Sequence, residues 1–253
     1  MKLNSYKGYL KEVFIYSTYI VRPKRIPSTK FVIFGYGRSG SNLLVDLLNS
    51  HPYIYCNYEL WGKKVFFPKL YIKCCEALTR EDVYGFKLLS SHFEIQGVDN
   101  PLEYMMELNN KGYKIISIKR RNILRQALSV LYAVNRKKFH HKRIEGVQEK
   151  KWMNVDMDKL LTELRFIDRL NELEEQILKE LPYLRLFYED DLIDGTKHQI
   201  TVDKISDFLG ITNARVKTDL VKTTPDDLPD FVENLDDLKG FIGQTKYSGY
   251  LEN

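Results

Sequence analysis

The sequence predicts an α/β fold, one domain in three α/β/α layers around a mainly parallel central sheet. Short apolar runs rich in β-branched and aromatic residues alternate with segments of helical periodicity, which is typical of parallel strands joined by helices. A glycine-rich turn joins the first core strand to the helix that follows it. The chain has 253 residues, and this length suits a single domain with a sizeable core.

Residues 1–30 are predicted to be a leader that precedes the core at 31–253. Lys11 and Glu12 interrupt its apolar residues, so the leader lacks the continuous apolar region of a signal peptide. It is predicted to be either an amphipathic helix or an edge strand, and a membrane-surface role is a minor alternative. The basic run at 22–27 contains two prolines and indicates a turn-rich linker into the core.

The core begins with a strand, a glycine-rich turn and a helix. The apolar run Phe31–Phe34 predicts the strand, and the turn follows as Gly35-Tyr-Gly-Arg-Ser-Gly40. Leucines in the segment 43–48 then form one apolar stripe of a helix. In this arrangement backbone N–H groups and a helix N-terminus point at an anion. The unit therefore predicts a phosphate-binding loop and a fold of the P-loop type.

The turn departs from the loop of nucleoside triphosphatases, whose pattern is G-x-x-x-x-G-K-[ST]. Gly35 and Gly40 have the required spacing. Ser41 and Asn42, however, stand in place of the lysine and of the hydroxyl residue that binds magnesium. Arg38 lies inside the turn instead, where its guanidinium can hold an anionic oxygen in a bidentate contact without a metal ion.

A second pattern fits the same turn. Gly35, Gly37 and Gly40 form G-x-G-x-x-G after a strand. Glu59 follows 19 residues beyond Gly40, near the position of the acid that holds the ribose in dinucleotide-binding folds. The spacing alone therefore leaves an NAD-type oxidoreductase open, and the rest of the chain must decide.

The run Arg38-Ser-Gly-Ser-Asn42 resembles the [KR]-[ST]-G-[ST]-[TN] loop of sulfotransferases that use 3′-phosphoadenosine 5′-phosphosulfate (PAPS). The continuation LLVDLLNSHPYI, followed by Glu59, is similar to the bacterial and Golgi-type carbohydrate sulfotransferases. Asn42 replaces the commoner threonine, and both side chains can hydrogen-bond a phosphate oxygen. The resemblance implies that the 5′-phosphosulfate is bound by Gly37, Arg38, Ser39, Gly40, Ser41 and Asn42.

Residues 51–80 are predicted to be loops and short helices around an acceptor pocket. They contain aromatic clusters at 51–55 and 65–68 without clean periodicity. The alternative is that these rings belong to the core. A strand is predicted next at 83–89, with Lys87 and then His92 near its carboxyl end, where ligands bind in open parallel sheets.

A further strand, predicted at 113–119 after a helix at 101–110, runs directly into a helical segment. Arg121 lies at the end of this strand, and Ser129 follows about two helical turns later. This R-x7-S pattern resembles the 3′-phosphate site of the same family, commonly R-[DN]-P-x5-S, although Ile123 stands where the family often has proline. The resemblance implies that Arg121 supplies a guanidinium and Ser129 a hydroxyl. A dinucleotide-dependent oxidoreductase has no need for this second site.

The segment at 134–151 is strongly basic and is predicted to be a solvated face or loop, with contact to an anionic or sugar acceptor as the alternative. Residues 156–181 are predicted to form a long amphipathic helix that ends before Pro182. One helix facing the core is the preferred interpretation of this pattern, and a coiled-coil dimer seam is the alternative.

The last part of the chain adds a strand at 183–188 and then Glu189-Asp-Asp-Leu192, which resembles the YEDL element of the family. The resemblance implies that Tyr188 lies near the adenine. The acids are predicted to hold the sheet end and neighbouring basic residues. The run at 208–211, FLGI, resembles a helix end of the family. Relatives close a late basic segment over the cofactor, which implies a role for Lys246.

The resemblance implies in-line transfer of a sulfuryl group from PAPS to an acceptor hydroxyl or nitrogen, with no metal. Arg38 and the N–H groups of residues 39–42 are candidates to stabilise the charge on the leaving bisphosphate. Glu59 is the first candidate for the base that takes the acceptor proton, and His92 is the second. Lys87 is predicted either to reach the sulfuryl group or to extend from the sheet edge.

Composition limits the partners. The net charge of +5 fits an anionic ligand but is too small to predict nucleic-acid binding. No apolar run approaches the roughly 18 residues that span a bilayer. Cys56, Cys74 and Cys75 lack metal-site spacing, which indicates reduced thiols in a cytoplasmic protein. The predicted partner is a small-molecule or carbohydrate acceptor, and the oligomeric state stays open.

Three functions therefore remain after the sequence. The first is a PAPS-dependent sulfotransferase. The second is an NAD-type oxidoreductase that uses the G-x-G-x-x-G at 35–40. The third is a catalytically inactive relative that keeps the fold and binds PAPS. The sequence does not identify the acceptor, and sugar hydroxyls follow only from the resemblance.

Overall fold

The structure is a computed structural model that describes residues 3–22, 24–136, 152–220, 224–225 and 227–251. Most of the basic segment predicted at 134–151 lies outside the described residues. Within the described residues, one sheet is flanked by helices on both faces, so the predicted α/β class is confirmed.

Five strands form one parallel sheet: β1 (Thr29–Gly35), β2 (Ile54–Glu59), β3 (Val83–Leu89), β4 (Tyr113–Lys119) and β5 (Tyr183–Phe187). Their spatial order is β2–β3–β1–β4–β5. β1 lies in the middle, and its successive residues pack into opposite layers. Val32 and Phe34 join one core cluster, whereas Phe31 and Ile33 join the cluster on the other face. This burial on both faces explains why β1 reads as a continuous apolar run.

Nine α-helices accompany the sheet in the described residues: α1 (Leu3–Val21), α2 (Ser41–Asn49), α3 (Pro68–Leu78), α4 (His92–Gln96), α5 (Pro101–Asn110), α6 (Ile123–Arg136), α7 (Met157–Lys179), α8 (His198–Leu209) and α9 (Leu235–Gly243). α3 and α5 cover one face of the sheet together with the end of α7. α2 and α8 cover the other face. A third cluster packs α6, α7 and α9 together beside the carboxyl end of β4.

β2 corrects the prediction of loops and short helices at 51–80. The strand is at the sheet edge and pairs with β3 alone. Ile54 and Cys56 are buried while Tyr55 is exposed, so the alternation covers only a few residues and is a weak signal. The pairing shifts after Asn57, and the shift places Glu59 opposite Lys87 of β3.

The long helix α7 faces the core, as predicted. Leu160, Leu164 and Ile167 pack against α6 in the third cluster, and Ile177 belongs to the cluster under the sheet. Its apolar stripe is therefore covered within the chain, and the alternative of a dimer seam is not needed to bury it.

The leader is the helix α1 rather than an edge strand, and α1 packs on α3. Glu12 is buried, and its Oε1 accepts hydrogen bonds from the Phe66 N–H and the Tyr16 hydroxyl, both at 2.7 Å. The Tyr16 ring also lies edge-on against Tyr71 of α3, with centroids 6.2 Å apart. None of the described helices is long and apolar enough to cross a membrane.

The three cysteines are buried free thiols, as the sequence indicated. Burial raises the pKa of Cys75 to about 12 and also raises the pKa of Cys56. Both groups therefore remain thiols at neutral pH, and neither is a reactive thiolate.

Candidate active site

The glycine-rich turn between β1 and α2 depends on two of its three glycines. A Cβ on Gly35 would lie 2.3 Å from the backbone oxygen of Ile118 on β4. Gly40 has a φ of 82°, and a Cβ there would lie 2.6 Å from the Tyr188 ring. Gly37 lacks such a constraint, because its Cβ would meet only the Leu89 side chain at 3.7 Å. The fold itself therefore requires glycine at 35 and 40 but not at 37.

Arg38, inside the turn, has a φ of 62°, which is uncommon for a residue other than glycine. Its Nε donates to the Ser129 Oγ at 2.9 Å, and Ser129 also lies 2.9 Å from the Thr224 hydroxyl. Burial and the neighbouring Arg120 lower the pKa of Arg38 to about 10, so its guanidinium stays charged at neutral pH. The hydrogen bond to Ser129 joins the two sequence motifs, which are 91 residues apart.

Three backbone carbonyls of the turn accept side-chain hydrogen bonds, two from residues outside the turn and one from within it. Gln126 Nε2 donates to the Gly37 carbonyl at 2.7 Å, and Arg120 Nη1 donates to the Arg38 carbonyl at 3.4 Å. Ser39 Oγ donates to the Tyr36 carbonyl at 2.8 Å. In a trans peptide the next N–H points opposite to each C=O. The N–H groups of residues 37–39 therefore point away from these donors.

The ring of Tyr36 is fixed by α7. Its hydroxyl donates to Glu163 Oε1 at 2.8 Å, and the ring lies edge-on against Phe166. Burial and the Glu163 carboxylate raise the pKa of Tyr36, so this hydroxyl stays protonated. The roles of Tyr36, Gln126 and Glu163 have no signal in the sequence, because a polar side chain carries no sign of which distant carbonyl or ring it contacts.

Three predicted site residues meet at the ends of β2 and β3. Lys87 is 2% exposed, and its Nζ lies 2.7 Å from Glu59 Oε1 and hydrogen-bonds Asn42 Oδ1 at the start of α2. Lys87 therefore points into the site and does not extend from the sheet edge. Burial lowers the pKa of Lys87, while the Glu59 carboxylate opposes that shift. The Lys87 side chain connects Glu59 to the start of α2, directly after the glycine-rich turn.

His92 completes this group but does not have the hydrogen bonding of a base. Its Nδ1 accepts the Leu89 N–H at 3.2 Å, so the neutral ring carries its proton on Nε2. Nε2 lies 3.7 Å from Glu59 Oε2. His92 and Lys87 hold the pKa of Glu59 at about 2, although burial raises it. Glu59 is thus an ionised carboxylate, and His92 is placed to orient it.

Arg121 and Ser129, which the resemblance assigns to one 3′-phosphate site, have different side-chain partners in the structure. Arg121 Nη1 lies 2.6 Å from Asp190 Oδ1 in a bidentate ion pair, and its guanidinium stacks 4.0 Å from the centre of the Phe187 ring. Ser129 is bound to Arg38 instead. The R-x7-S spacing placed both residues near the end of β4 but could not show that a carboxylate just after β5 would hold the arginine.

Arg121 nevertheless lines a cavity of about 390 Å³ that adjoins the turn. Arg120 and Tyr188 line the same cavity. Arg120 stacks 4.9 Å from the centre of the Tyr188 ring and reaches the Arg38 carbonyl, and Tyr188 packs on Gly40. Among the described lining residues, three arginines and one glutamate are charged, so this part of the cavity is positive. It is lined by Arg120, Arg121, Asn122, Arg125, Tyr188, Glu189, Ile193, Thr224, Pro225, Phe231 and Tyr250.

The acids after β5 hold the sheet end, as predicted. Glu189 accepts the N–H of Arg121 at 3.1 Å and that of Asn122 at 3.3 Å. Asp191 accepts the Phe187 N–H at 2.7 Å. Their carboxylates therefore stabilise the start of α6 and the end of β5.

Lys246 contacts a different part of the chain. Its exposed Nζ lies 2.6 Å from Asp168 Oδ2 on α7 and over the ring of Tyr247. Tyr247 donates to the same carboxylate oxygen at 2.8 Å. The structure thus does not bring Lys246 to the turn, and its predicted role in closing over a cofactor stays a prediction.

A buried acid lies behind the turn. Ser90 donates its N–H to the Gly35 carbonyl and its hydroxyl, at 2.5 Å, to Glu174 Oε1 on α7. Glu174 is 2% exposed, and burial raises its pKa to about 7. Lys119 and Arg185 oppose this rise, while Glu175 adds to it. Glu174 therefore titrates near neutral pH within the folded protein.

Glu174→Gln is expected to remove a pH dependence of stability. The folded state holds a proton on Glu174 that the unfolded state releases above about pH 4.5, so wild-type stability falls as pH rises from about 4.5 to about 7. The full effect is on the order of 3 kcal/mol. Glutamine keeps an acceptor for Ser90 and does not ionise. Urea unfolding should give nearly equal stabilities at pH 4 and a more stable variant at pH 8.

Glu172→Gln is the matched control for this prediction, because Glu172 lies on the same helix but is exposed. It should leave the pH dependence of unfolding unchanged. Parallel stability curves for wild type and Glu174→Gln between pH 5 and 8 would contradict the assignment of Glu174 as the titrating group.

The comparisons with known proteins concern the fold. No protein-family profile matches the chain, and no curated protein matches it. Solved structures do match. A sulfotransferase from Alicyclobacillus acidocaldarius aligns with a TM-score of 0.45 and 15% identity over 92% of this chain and 95% of that one. Mouse sulfotransferase SULT7A1, solved in complex with PAP, aligns with a TM-score of 0.41 and 16% identity over 78% of this chain and 63% of that one. Shikimate kinase from Bacteroides thetaiotaomicron aligns with a TM-score of 0.42 and 14% identity over 72% of this chain and 99% of that one.

Proposed function

We propose that the protein is a PAPS-dependent sulfotransferase that moves a sulfuryl group to an acceptor hydroxyl. The observation that carries the proposal is the hydrogen bond from Arg38 to Ser129. It brings together the glycine-rich turn and the R-x7-S motif, the two segments that the family resemblance assigns to opposite ends of one nucleotide. A dinucleotide-binding oxidoreductase would require no such connection.

The residues present fit a doubly phosphorylated nucleotide. The turn offers N–H groups, the Arg38 guanidinium and the start of α2 to the 5′-phosphosulfate. The positive cavity beside it, with Arg120 and Arg125, suits the 3′-phosphate, and Tyr188 offers a ring at the same wall. Its volume of about 390 Å³ lies within the range of small-molecule sites. In this proposal the Arg121 guanidinium leaves its ion pair with Asp190 and binds the 3′-phosphate.

PAPS would supply an activated sulfuryl group, and the chain supplies orientation and charge. Arg38 and the N–H groups of residues 39–42 stabilise the charge that develops on the leaving phosphate oxygen. Lys87 hydrogen-bonds Asn42 at the start of α2. From this position its ammonium can rotate to contact a sulfuryl oxygen next to the glycine-rich turn. Glu59 accepts the proton of the acceptor hydroxyl, and His92 is its positioning residue.

The ion pair of Glu59 and Lys87 links sulfuryl binding by Lys87 to proton acceptance by Glu59. In the free protein Glu59 has a pKa of about 2, so it is ionised at neutral pH but weakly basic. When Lys87 turns to an anionic sulfuryl group, Glu59 loses its nearest cation and its pKa rises. Base strength at Glu59 therefore increases when the nucleotide is in place.

Calorimetric titration with adenosine 3′,5′-bisphosphate and with NAD tests the proposal. The bisphosphate is expected to bind and NAD is not; binding of NAD alone would overturn the proposal in favour of the oxidoreductase. Arg121→Ala should weaken bisphosphate binding. Arg169→Ala is the matched control, because Arg169 is also an exposed arginine paired with a carboxylate and stacked on an aromatic ring.

Transfer from labelled PAPS to a panel of hydroxyl acceptors then separates an enzyme from an inactive binding protein.

Glu59→Gln is expected to lower turnover at least tenfold while leaving bisphosphate affinity nearly unchanged, because the amide cannot take a proton. The same variant at His92, His92→Gln, should show a smaller loss, since His92 acts through Glu59. The measurements are the rate of labelled sulfate transfer and calorimetry on the same preparations. Full activity in Glu59→Gln would transfer the role of base to another residue.

A further inference from the structure

Helix α1 has a free apolar face. Docking on α3 uses one side of the helix, through Glu12 and Tyr16. The opposite side carries large apolar side chains that are 58–79% exposed, and these are Leu10, Val13, Phe14, Ile20 and Val21. They recur at helical spacing around the exposed Ser17. Within residues 9–21 this outward side has no charged side chain.

The apolar surface extends beyond α1. Phe66 and Phe67 are each 62% exposed, and the Phe66 ring lies 5.1 Å from the Tyr9 ring. The hydrogen bond from the Phe66 N–H to Glu12 fixes this segment to the helix. A continuous apolar surface on a docked helix is larger than the scattered apolar residues of an ordinary surface, and it indicates an interaction site.

The charge around this surface identifies the partner. The whole chain has 39 basic and 34 acidic residues; seven of the basic residues and one of the acidic ones lie in residues 1–30. That segment therefore carries a net charge of +6, and the remaining 223 residues carry −1. Lys11 and Arg22 lie along one border of the apolar face by helical position, and Lys24 follows α1; all three are exposed. Arg25 is also exposed but is paired with Asp82.

An apolar face bordered by basic residues fits an anionic lipid surface, where the apolar side chains enter the acyl boundary and the cations meet the headgroups. A second copy of this chain fits poorly. In a twofold contact the same face meets itself, so the exposed cations at its border, Lys11, Arg22 and Lys24, would be brought close to those of the second copy. We propose that α1 docks the protein on the surface of an anionic membrane, lying in the interface without crossing it.

Vesicle flotation of the full chain tests this proposal. Wild type is expected to float with vesicles of phosphatidylcholine mixed with phosphatidylserine, to remain behind with phosphatidylcholine alone, and to be released in part by high salt. Recovery that is equally low with both vesicle types would overturn the proposal without any variant. These measurements involve no nucleotide, so they are independent of the proposed sulfotransferase activity.

Two variants locate the contact. Leu10→Gln with Phe14→Gln should lower the bound fraction at least about tenfold, as should Lys11→Gln with Arg22→Gln. Ile200→Gln is the control for the apolar pair, because Ile200 is 68% exposed on α8. Arg215→Gln with Lys217→Gln is the control of equal charge. All substituted side chains are exposed, so melting temperatures should not change.

Two results would contradict the assignment of α1. The first is undiminished flotation of both α1 variants. The second is a concentration-dependent dimer of wild type, seen by sedimentation velocity and lost in Leu10→Gln with Phe14→Gln, which would make the face an interface between two copies.

Discussion

Gly35→Ala is expected to destabilise the protein by about 3 kcal/mol or more, the upper range for overpacking of a well-packed core. The added Cβ would lie 2.3 Å from the Ile118 carbonyl oxygen. That oxygen belongs to the backbone of β4, next to β1 in the centre of the sheet, so no side chain can rotate to make room. Either the strands separate or the turn distorts, and both lose sheet hydrogen bonds.

Gly37→Ala supplies the matched control within the same turn. Its Cβ would make only an ordinary 3.7 Å contact with the Leu89 side chain. Urea unfolding monitored by circular dichroism should give Gly37→Ala a stability within about 0.5 kcal/mol of wild type. Similar unfolding midpoints for Gly35→Ala and Gly37→Ala would show that the close approach of β1 and β4 at Gly35 is not required.

Arg38→Gly is expected to lower sulfuryl transfer by about a hundredfold or more, as for loss of a preorganised group that stabilises transition-state charge. Glycine adopts the φ of 62° without a Cβ penalty, so the variant relieves roughly 1 kcal/mol of backbone strain while it removes the guanidinium. Stability should therefore stay level or rise as activity falls. Labelled transfer and urea unfolding are measured on the same protein.

Arg38→Lys separates charge from geometry. Lysine keeps a cation but cannot form the planar bidentate contact or reproduce the Nε donor to Ser129. We expect activity between those of wild type and Arg38→Gly. Wild-type transfer rates in Arg38→Gly would remove Arg38 from the proposed chemistry, and an unstable variant would show that the strain at this position is compensated by the guanidinium contacts.

The sequence was most informative where local pattern and burial agree. The apolar runs at 83–89 and 113–119 are β3 and β4 to the residue, and the helix predicted at 156–181 is α7. The two strands are almost entirely buried and appear as continuous apolar runs. The helix is long and has clear helical periodicity, so each segment gives a strong signal. The edge strand β2 was missed because only alternate residues of a six-residue segment are buried.

The site was less predictable than the fold, because it is built from contacts between distant segments. Glu59, Lys87 and His92 were selected by motif and strand position, but their mutual contacts follow from the register shift of β2. Arg121 was selected by spacing, and the structure pairs it with Asp190. Spacing along one strand and helix carries no information about carboxylates in the segment that follows a neighbouring strand.

The hydrogen bonds of Gln126 and Glu163 to the turn have a consequence for folding during synthesis. The turn at 35–40 is synthesised long before Gln126 and Glu163, whose side chains bind the Gly37 carbonyl and the Tyr36 hydroxyl. β1 also pairs with β3 and β4, which both follow it in the chain. A nascent chain released before α6 would contain every glycine of the turn but no side chain to hold the Gly37 carbonyl. The full set of contacts that holds the turn is thus assembled late in translation, when the carboxyl-terminal half has docked.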